Sequence, residues 1–347
     1  MKCGFTTHVR SPWPVLAFLL VGLLTTTCSL PDIPLPVPAE AGDPPCVYIP
    51  PAPNLIGYSY QIADSTSWYS GCYNPANAEE VAVLVDLPDL NKNGMYRLNL
   101  RTGQRTLIFA GPVSIHTDWS RTGWLLFQLF GEAWKVKANG DSATQITSTN
   151  RSLTSVEAWS PDGRFVLCRR SAQDYAQTGL VIYTNKGAFV RLLPDAQTRA
   201  HDFMGWSPDG RRLAYMGGPN SPVTAPSLCL YDLTTGQLDT LDVLPRGTRG
   251  LSGVRWLPNG TDIVWAADKG VAITNILTRR THYLRTNCPG AIYNRGFGLP
   301  CPSPDGQRIL VARGDFSVSP TNPNLLLEKN CLETMNLQGG DVRKVTP

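Results

Sequence analysis

Six polar residues stand one to five positions before a tryptophan that recurs along the chain, and their side chains are of kinds that catalyse reactions or recognise charged groups. They are His116, Asp118, Glu157, His201, Asp202 and Arg255. Imidazoles and carboxylates act as general acids and bases, and as zinc ligands, when they converge. If the fold brings these groups together, the sequence favours a hydrolase or lyase. If it does not, they form the polar lining of a channel mouth that binds a ligand, and we expect this second arrangement.

A second candidate site is the segment 89–94 (DLNKNG), in which oxygen-bearing side chains alternate before a glycine. Asp89, Asn91 and Asn93 have the spacing of the first ligands in a calcium loop. The twelfth position, where an EF-hand carries a bidentate glutamate, is Leu100. Asn and Gly are also the residues that an ordinary turn between strands prefers. We expect a plain turn here, with a calcium site as the alternative.

The motifs of several common enzyme classes are missing from the sequence. It contains no G-x-S-x-G nucleophile elbow, no H-E-x-x-H zinc motif, no P-loop and no G-x-G-x-x-G dinucleotide loop. Hydrolases and nucleotide-binding enzymes of those classes need these minimal parts. The sequence therefore predicts a protein that is not an enzyme and that needs no cofactor other than, in the alternative above, calcium.

The elements that position these residues come from a repeated phrase. Trp159 to Gly163 reads WSPDG and returns as Trp206 to Gly210, with weaker copies at 119–123, 256–260 and 302–306 and a related start at Tyr73. The first residues of the copies are 46, 40, 47, 50 and 46 positions apart. A period of this length in strand-rich units indicates one propeller blade per repeat. We therefore predict an all-β fold, a six-bladed β-propeller of four-stranded antiparallel blades.

The residue types within the phrase have a structural explanation. Proline presets φ at the first corner of a turn, Asp bonds its local backbone, and Gly adopts a positive φ. The large ring before the corner is expected to pack in the seam between neighbouring blades. The residues assigned to this structural role are Trp119, Trp159, Pro161, Asp162, Gly163, Trp206, Pro208, Asp209, Gly210, Trp256, Pro304, Asp305 and Gly306.

The repeat resembles the TolB-type, WD40-like β-propeller repeat. The resemblance rests on WSPDG followed by an apolar strand, and on paired strands such as LCLYDLTTGQLDTL at 228–241 and MYRLNLRTGQRTLI at 95–108. It covers about residues 67–347 and implies six blades around a central channel. TolB itself carries an α/β domain ahead of its propeller, whereas this chain has a leader and a proline-rich stretch there, so we do not expect a role in the Tol-Pal system.

The N-terminal region predicts export. Residues 1–28 have a basic start and a ten-residue apolar run at 15–24, the layout of a signal peptide. The sequence LTTTC around Cys28 resembles a lipoprotein signal, so we expect lipid on Cys28 and a membrane anchor facing the periplasm or the cell exterior; cleavage nearby and an uncleaved anchor are the alternatives. Residues 29–54 are proline-rich and predict an extended tether. Residues 55–347 are assigned to the propeller, with 55–63 as an extra strand whose placement the sequence leaves open; a latch between the first blade and the last is one option.

The cysteines suggest disulfides in an oxidising compartment. Setting aside Cys3 in the leader and Cys28, seven remain, an odd number. Spacing suggests Cys288 with Cys301 and Cys46 with Cys72, although connectivity does not follow from sequence. Cys168 and Cys229 lie in apolar strand patterns and are expected to be buried thiols.

The charge balance narrows the class of partner. The chain has 31 basic and 27 acidic residues, a net charge of +4, and Lys2 and Arg10 of the leader account for two of the basic ones. So small an excess does not favour nucleic acid. We expect an exported, non-catalytic scaffold, monomeric, that presents a propeller surface to a protein, peptide or glycan. The alternatives are a channel-centred hydrolase or lyase and a structural envelope protein.

Overall fold

The structure is a computed structural model, and its described part is built from β-strands. It describes residues 46, 49, 59–62, 67–87, 92–112, 116–150, 152–171, 178–194, 200–217, 227–243, 253–267, 269–288 and 295–345. Within these ranges no helix is long and apolar enough to cross a membrane.

The strands form six sheets, one for each copy of the repeat. Blade 1 contains β2 (Ser67–Asn74), β3 (Asn77–Asp86), β4 (Gly94–Asn99) and β5 (Arg105–Ala110); blade 2 contains β6 (Thr117–Trp119), β7 (Trp124–Leu129), β8 (Glu132–Lys137) and β9 (Thr144–Gln145); blade 3 contains β10 (Leu153–Trp159), β11 (Phe165–Arg170), β12 (Gly179–Thr184) and β13 (Phe189–Pro194). Blade 4 contains β14 (Ala200–Trp206), β15 (Arg212–Gly217), β16 (Ser227–Asp232) and β17 (Leu238–Val243); blade 5 contains β18 (Val254–Trp256), β19 (Asp262–Ala267), β20 (Gly270–Asn275) and β21 (Thr281–Thr286); blade 6 contains β22 (Arg295–Pro302), β23 (Arg308–Val318), β24 (Leu325–Asn336) and β25 (Arg343–Lys344).

Each blade is a four-stranded antiparallel meander made from one continuous stretch of chain. In blade 3, for example, Phe165 to Arg170 pair in register with Thr184 back to Gly179. The apolar residues of the second and third strands are buried on both faces, because each blade is covered on either side by a neighbour. The predicted six-bladed propeller of four-stranded blades is confirmed.

An extra strand, β1 (Ser59–Ile62), joins the ring from the N-terminal side. It pairs in parallel with β24 of blade 6, with Ser59 opposite Leu325 and Ile62 opposite Glu328. The other end of β24 pairs with β25. The N-terminal strand and the C-terminal strand therefore share the outer edge of one long strand.

The core is divided among the seams between blades. Six buried clusters each combine side chains of two adjacent blades, including the pair formed by blades 6 and 1, so the ring is closed. The rings before the turns lie in these seams: Tyr73 between blades 6 and 1, Trp119 between 1 and 2, Trp159 between 2 and 3, Trp206 between 3 and 4, and Trp256 between 4 and 5.

The turns after the first strands of blades 3, 4 and 6 share one hydrogen-bond pattern. In blade 3, Ser160 Oγ donates to Asp162 Oδ1 at 2.6 Å and accepts from the Phe165 N–H at 2.9 Å. Gly163 has φ of 69° and donates its N–H to the Ser160 carbonyl at 2.8 Å. The serine of the phrase therefore links the two ends of the turn, a role that the sequence analysis did not assign.

Both disulfides suggested by spacing are wrong. Cys46 is bonded to Cys288, 242 positions away, and Cys72 and Cys301 are bonded to neither of them and are present as thiols in this structure. Radial position explains the difference. The N-terminal segment approaches the ring at its outer edge, where β1 adds to β24, and Cys288 follows the outermost strand of blade 5. Cys72 and Cys301 lie on innermost strands, so a segment arriving from outside does not meet them.

Candidate binding face and channel floor

The channel opens on the side of the molecule where the six turns gather, which we call the turn face. A depression of about 280 Å³, the central depression, is lined there by equivalent residues of all six blades. Its walls carry the rings and corners Tyr73, Trp119, Trp159, Trp206, Trp256, Pro75, Pro161, Pro208, Pro258 and Pro304. The repeated phrase thus shapes the seams and the entrance to the channel together.

The residue immediately before the first residue of each copy of the phrase (Tyr73, Trp119, Trp159, Trp206, Trp256 and Pro302) lies on the floor of the depression. One residue from each blade contributes to this floor ring: Cys72, Asp118, Ala158, Gly205, Arg255 and Cys301. Blades 2 and 5 are opposite each other in a six-membered ring. The acidic residue of the floor ring, Asp118, and its basic residue, Arg255, therefore come from opposite sides. Two small residues on blades 3 and 4 leave room for the long side chain of Arg255.

Arg255 connects three blades. Its Nη1 donates to the carbonyls of Met204 and Val254, both at 3.1 Å, and its Nη2 donates to the Glu157 carbonyl at 3.4 Å. A planar guanidinium has five donors in a fixed arrangement, so it can bond several backbone acceptors simultaneously. Arg255 therefore satisfies carbonyl groups that the inner strands direct toward the channel.

Asp118 lies on the inner strand of blade 2 and is held by the backbone of blade 3. Its Oδ2 accepts the Trp159 N–H at 2.7 Å. Burial raises the pKa of Asp118 above its usual range, and the Arg255 charge with the N–H groups of Trp159 and Trp119 offsets this rise only in part. A carboxylate of this kind favours a proton or a cationic ligand group beside it.

The other predicted site residues do not join this pair. Glu157 is buried, with 1% of its surface exposed. Its Oε2 accepts the Met204 N–H at 3.4 Å, and its Oε1 has no hydrogen-bond partner among the described residues. His116 lines a separate small cavity of about 20 Å³. His201 and Asp202 lie in β14, and their side chains are outside the described part of the chain.

The small cavity and the central depression meet at three residues. Cys72, Arg255 and Cys301 line both, so these three side chains separate the two spaces. About 20 Å³ is enough for roughly one water molecule. His116 lines the small cavity and Asp118 lines the central depression, so the two side chains lie on different spaces. Among the described residues, no group of three or more His, Cys, Asp or Glu side chains is arranged to hold a metal ion.

A larger groove continues from the central depression between blades 3 and 4. This inter-blade groove has a volume of about 570 Å³ and is lined by apolar side chains such as Phe165, Ile182 and Val190. Four charged residues also line it: Arg121, Asp162, Arg191 and Asp209. Sequence reasoning missed this groove, because its walls come from strands and turns of two different repeats.

The calcium segment is described only in part. Asp89 and Asn91 lie outside the described residues. Asn93 Oδ1 accepts the backbone N–H of Leu87, which ties together the two ends of the connection between β3 and β4. Calcium binding here stays a prediction.

The floor-ring residues that sequence reasoning missed are Cys72, Ala158, Gly205 and Cys301. The signal was present, because all four stand in the same column of the repeat as Asp118 and Arg255. Reading that column across six repeats would have found the complete ring.

Asp118→Asn is expected to change how stability depends on pH. A raised pKa means that folded Asp118 binds its proton more tightly than unfolded Asp118, so its contribution to stability falls as pH rises from about 3.5 to 7. The variant lacks this loss, and its unfolding free energy relative to the native chain should increase over that range. Urea titrations at several pH values measure the difference.

Asp162→Asn is the matched control with the opposite sign. Burial opposes ionisation of Asp162, but hydrogen bonds from Ser160 and the Arg164 N–H, with the Arg164 charge, outweigh it and lower the pKa. Its stabilising contribution is present above the ordinary pKa and is lost as pH falls through the lowered one. The control should therefore lose stability relative to the native chain as pH rises. If the unfolding free energies of the two variants, relative to the native chain, changed in the same direction with pH, the raised pKa of Asp118 would be contradicted.

Comparison with known proteins identifies the fold. No protein-family model matches the chain, and no curated protein is significantly similar to it. Among solved structures, a TolB-type protein of Agrobacterium tumefaciens is 18% identical, with 72% of this chain and 86% of that chain covered and a TM-score of 0.56. TolB of Acinetobacter baumannii is 16% identical, with 80% of this chain aligned to 65% of that one, just under two thirds of its length, and a TM-score of 0.54.

A chain of the nidogen–laminin complex is 12% identical, with 81% of this chain and 93% of that chain covered and a TM-score of 0.54. Identities this low establish a common fold and leave the function of each site open. The chain therefore has the fold of the TolB-type six-bladed β-propellers.

Proposed function

We propose that this propeller is an exported, non-catalytic binding protein that holds an extended segment of a partner protein on its turn face. The leader at 1–28 supports export, and Cys28 supports a lipid anchor that leaves the propeller on the outer side of the membrane. The proline-rich residues 29–54 would separate the propeller from that membrane. A structure of nidogen with laminin shows that a protein of similar fold occurs in a protein complex.

The observation that carries this proposal is the continuity of the two concavities. Arg121, Ser160, Pro161, Trp206 and Pro208 line both the central depression and the inter-blade groove. A ligand can therefore run from the channel floor outward between blades 3 and 4 without leaving the protein surface. A path of this length suits an extended chain better than a compact small molecule.

The chemistry of the path fits a peptide with apolar side chains and charges of both signs. Aromatic, aliphatic and proline side chains form the floor of the groove. The pKa values of Asp162 and Asp209 are both lowered; in each, burial opposes ionisation and hydrogen bonds from the turn serine and a following N–H outweigh it. These carboxylates are therefore charged at neutral pH, beside the cationic Arg121 and Arg191. Charges of both signs along the groove favour a partner segment with complementary charges.

The test compares two substitutions of exposed apolar residues. Val190 is 45% exposed and lines the groove, whereas Leu277 is 75% exposed in a turn of blade 5 that does not. The chain from residue 29 onward is immobilised, partners in envelope extract are captured, and their affinities are measured with the native chain and both variants. Val190→Glu should weaken the captured protein's binding by about tenfold or more, because it places a charge on an apolar floor, and Leu277→Glu should leave it unchanged.

Two other results would count against the proposal. Equal affinities for the two variants would exclude the groove as the site. Capture of glycan alone, or release of cleaved partner fragments, would instead support the glycan partner or the hydrolase or lyase alternative. Recovery of an intact protein partner whose affinity depends on Val190 would support binding without catalysis.

A further inference from the structure

We propose that Cys72 and Cys301 form a second disulfide, which closes the propeller ring between blades 6 and 1 at the floor of the central depression. The two residues occupy the same position of consecutive blades in the ring. Cys72 lies on β2 and Cys301 on β22, the innermost strands of those blades, which lie side by side. Both line the central depression and the small cavity beyond it.

The two inner strands are in contact along the seam. The backbone N–H of Tyr73, the residue directly after Cys72, lies near enough to the Cys301 thiol to lower its pKa, although burial has the larger and opposite effect. Leu310, which is paired with Cys301 across blade 6, has its Cδ2 only 2.7 Å from the place that a Cβ on Gly71 would occupy. Blade 6 is therefore in close contact with the residues on both sides of Cys72.

The other cysteines of the described chain that are in no disulfide lie elsewhere in the ring. Cys168 is buried in the seam between blades 2 and 3, and Cys229 in the seam between blades 3 and 4. Cys331 lies on β24, two strands outward from Cys301. Cys46 and Cys288, at the outer edge of the ring, are already bonded to each other. Cys72 and Cys301, on the innermost strands, are the pair left to form a bond.

The seam between blades 6 and 1 is where the last part of the chain packs beside the first, and β1 pairs with β24 there. The other neighbouring blades follow one another along the chain. The Cys46–Cys288 bond already encloses most of the chain, so a bond from residue 72 to residue 301 closes a shorter additional loop. That loop still removes conformational entropy from the unfolded chain, so the bond stabilises the closed seam.

The reaction is a two-electron oxidation by a small disulfide such as oxidised glutathione. Two S–H bonds break and one S–S bond forms; two electrons and two protons pass to the oxidant, which is reduced to two thiols. Burial raises the pKa of Cys301 to about 11 and that of Cys72 well above its usual value. A protonated thiol attacks a disulfide much more slowly than a thiolate does, so thiol–disulfide exchange in the folded ring is slow. The bond therefore forms while the seam is still open.

The proposed bond rests on the proposed function in one respect, export to an oxidising compartment. Its test supplies the oxidant in the buffer and so does not depend on export. The chain from residue 29 onward is denatured, fully reduced and refolded in a buffer of oxidised and reduced glutathione. Free thiols are then blocked under denaturing conditions and the peptides are analysed by mass spectrometry without reduction. We expect two cross-links, Cys46 to Cys288 as the internal control for oxidation and Cys72 to Cys301. The midpoint of thermal unfolding should fall by about 5 to 10 °C in the Cys301→Ala variant.

The opposite result is equally clear. If Cys46 and Cys288 are cross-linked while Cys72 and Cys301 both carry the blocking group, the proposal is wrong. A Cys72→Ala/Cys301→Ala double variant adds a second criterion. If the bond exists, the second substitution costs little after the first, because the cross-link is already lost; additive losses from the two substitutions would show independent thiols. Failure of the chain to bind a partner would leave both readouts unaffected.

Discussion

Gly187→Ala is expected to destabilise the propeller by about 3 to 5 kcal/mol, a large part of the stability of an ordinary domain. Gly187 lies in the turn between β12 and β13 with φ of 89°, and a Cβ built there would be 1.9 Å from the carbonyl oxygen of Ile146. Ile146 belongs to blade 2 and is buried in the seam with blade 3. The obstacle is backbone, which cannot rotate aside, so the two blades would have to separate. Denaturant unfolding monitored by tryptophan fluorescence measures the loss.

Gly103→Ala separates the two causes of this loss. Gly103 occupies the corresponding turn of blade 1 with φ of 70°, and a Cβ there would meet nothing within 4 Å. It should cost only the left-handed backbone penalty of about 1 to 2 kcal/mol. Gly339 repeats the close approach, with a Cβ 2.0 Å from the Leu284 carbonyl oxygen of blade 5. Equal losses at Gly187 and Gly103 would show that the approach of neighbouring blades contributes nothing.

Arg255→Leu is expected to cost about 3 kcal/mol, because three carbonyl groups of blades 3, 4 and 5 lose a charged donor. The substitution also removes the positive charge that lowers the pKa of Asp118, so the carboxylate becomes more costly in its charged form. Arg101→Leu is the matched control. Arg101 is 72% exposed and pairs only with exposed Glu79, so its loss should lie within about 0.5 kcal/mol.

A double-mutant cycle tests whether the floor ring acts as a unit. Asp118→Asn keeps an acceptor for the Trp159 N–H but removes the charge that needs Arg255. In the Asp118→Asn background, Arg255→Leu should therefore cost less than it does alone, with a coupling of about 1 kcal/mol at pH 7. Strictly additive losses of unfolding free energy would mean that Arg255 stabilises the fold only through its hydrogen bonds to backbone carbonyls.

Much of the fold follows from the repeat because the local chemistry and the tertiary arrangement agree. The turn residues Ser160, Pro161, Asp162 and Gly163 satisfy one another within the turn, so the same geometry recurs wherever the phrase recurs. The apolar strands after each turn are buried on both faces, which needs neighbours on both sides. Six copies of such a unit close into a ring, and the blade order follows the chain order.

The candidate site was predictable only in part. Asp118 and Arg255 were found because they differ from the other residues of their column, and the structure places both in the floor ring. Glu157 stands two residues before its tryptophan, one position earlier in the strand than Asp118 and Arg255 do in theirs. It is buried and does not line the depression. In a strand, neighbouring residues face opposite sides, so a shift of one position separates lining residues from buried ones. Closeness in sequence to the recurring tryptophan was therefore a weaker guide than the exact column.

The sequence by itself determined the number of blades, their strands and the chemistry of their turns, because these depend on contacts within about 50 residues. Only the tertiary structure decided which cysteine meets which, where β1 adds to blade 6, and how Arg255 bridges three blades. These contacts join segments that lie up to 242 positions apart, and they form only when the ring closes. Local residue patterns carry no information about that closure, since the same WSPDG turn is compatible with any neighbour across the seam.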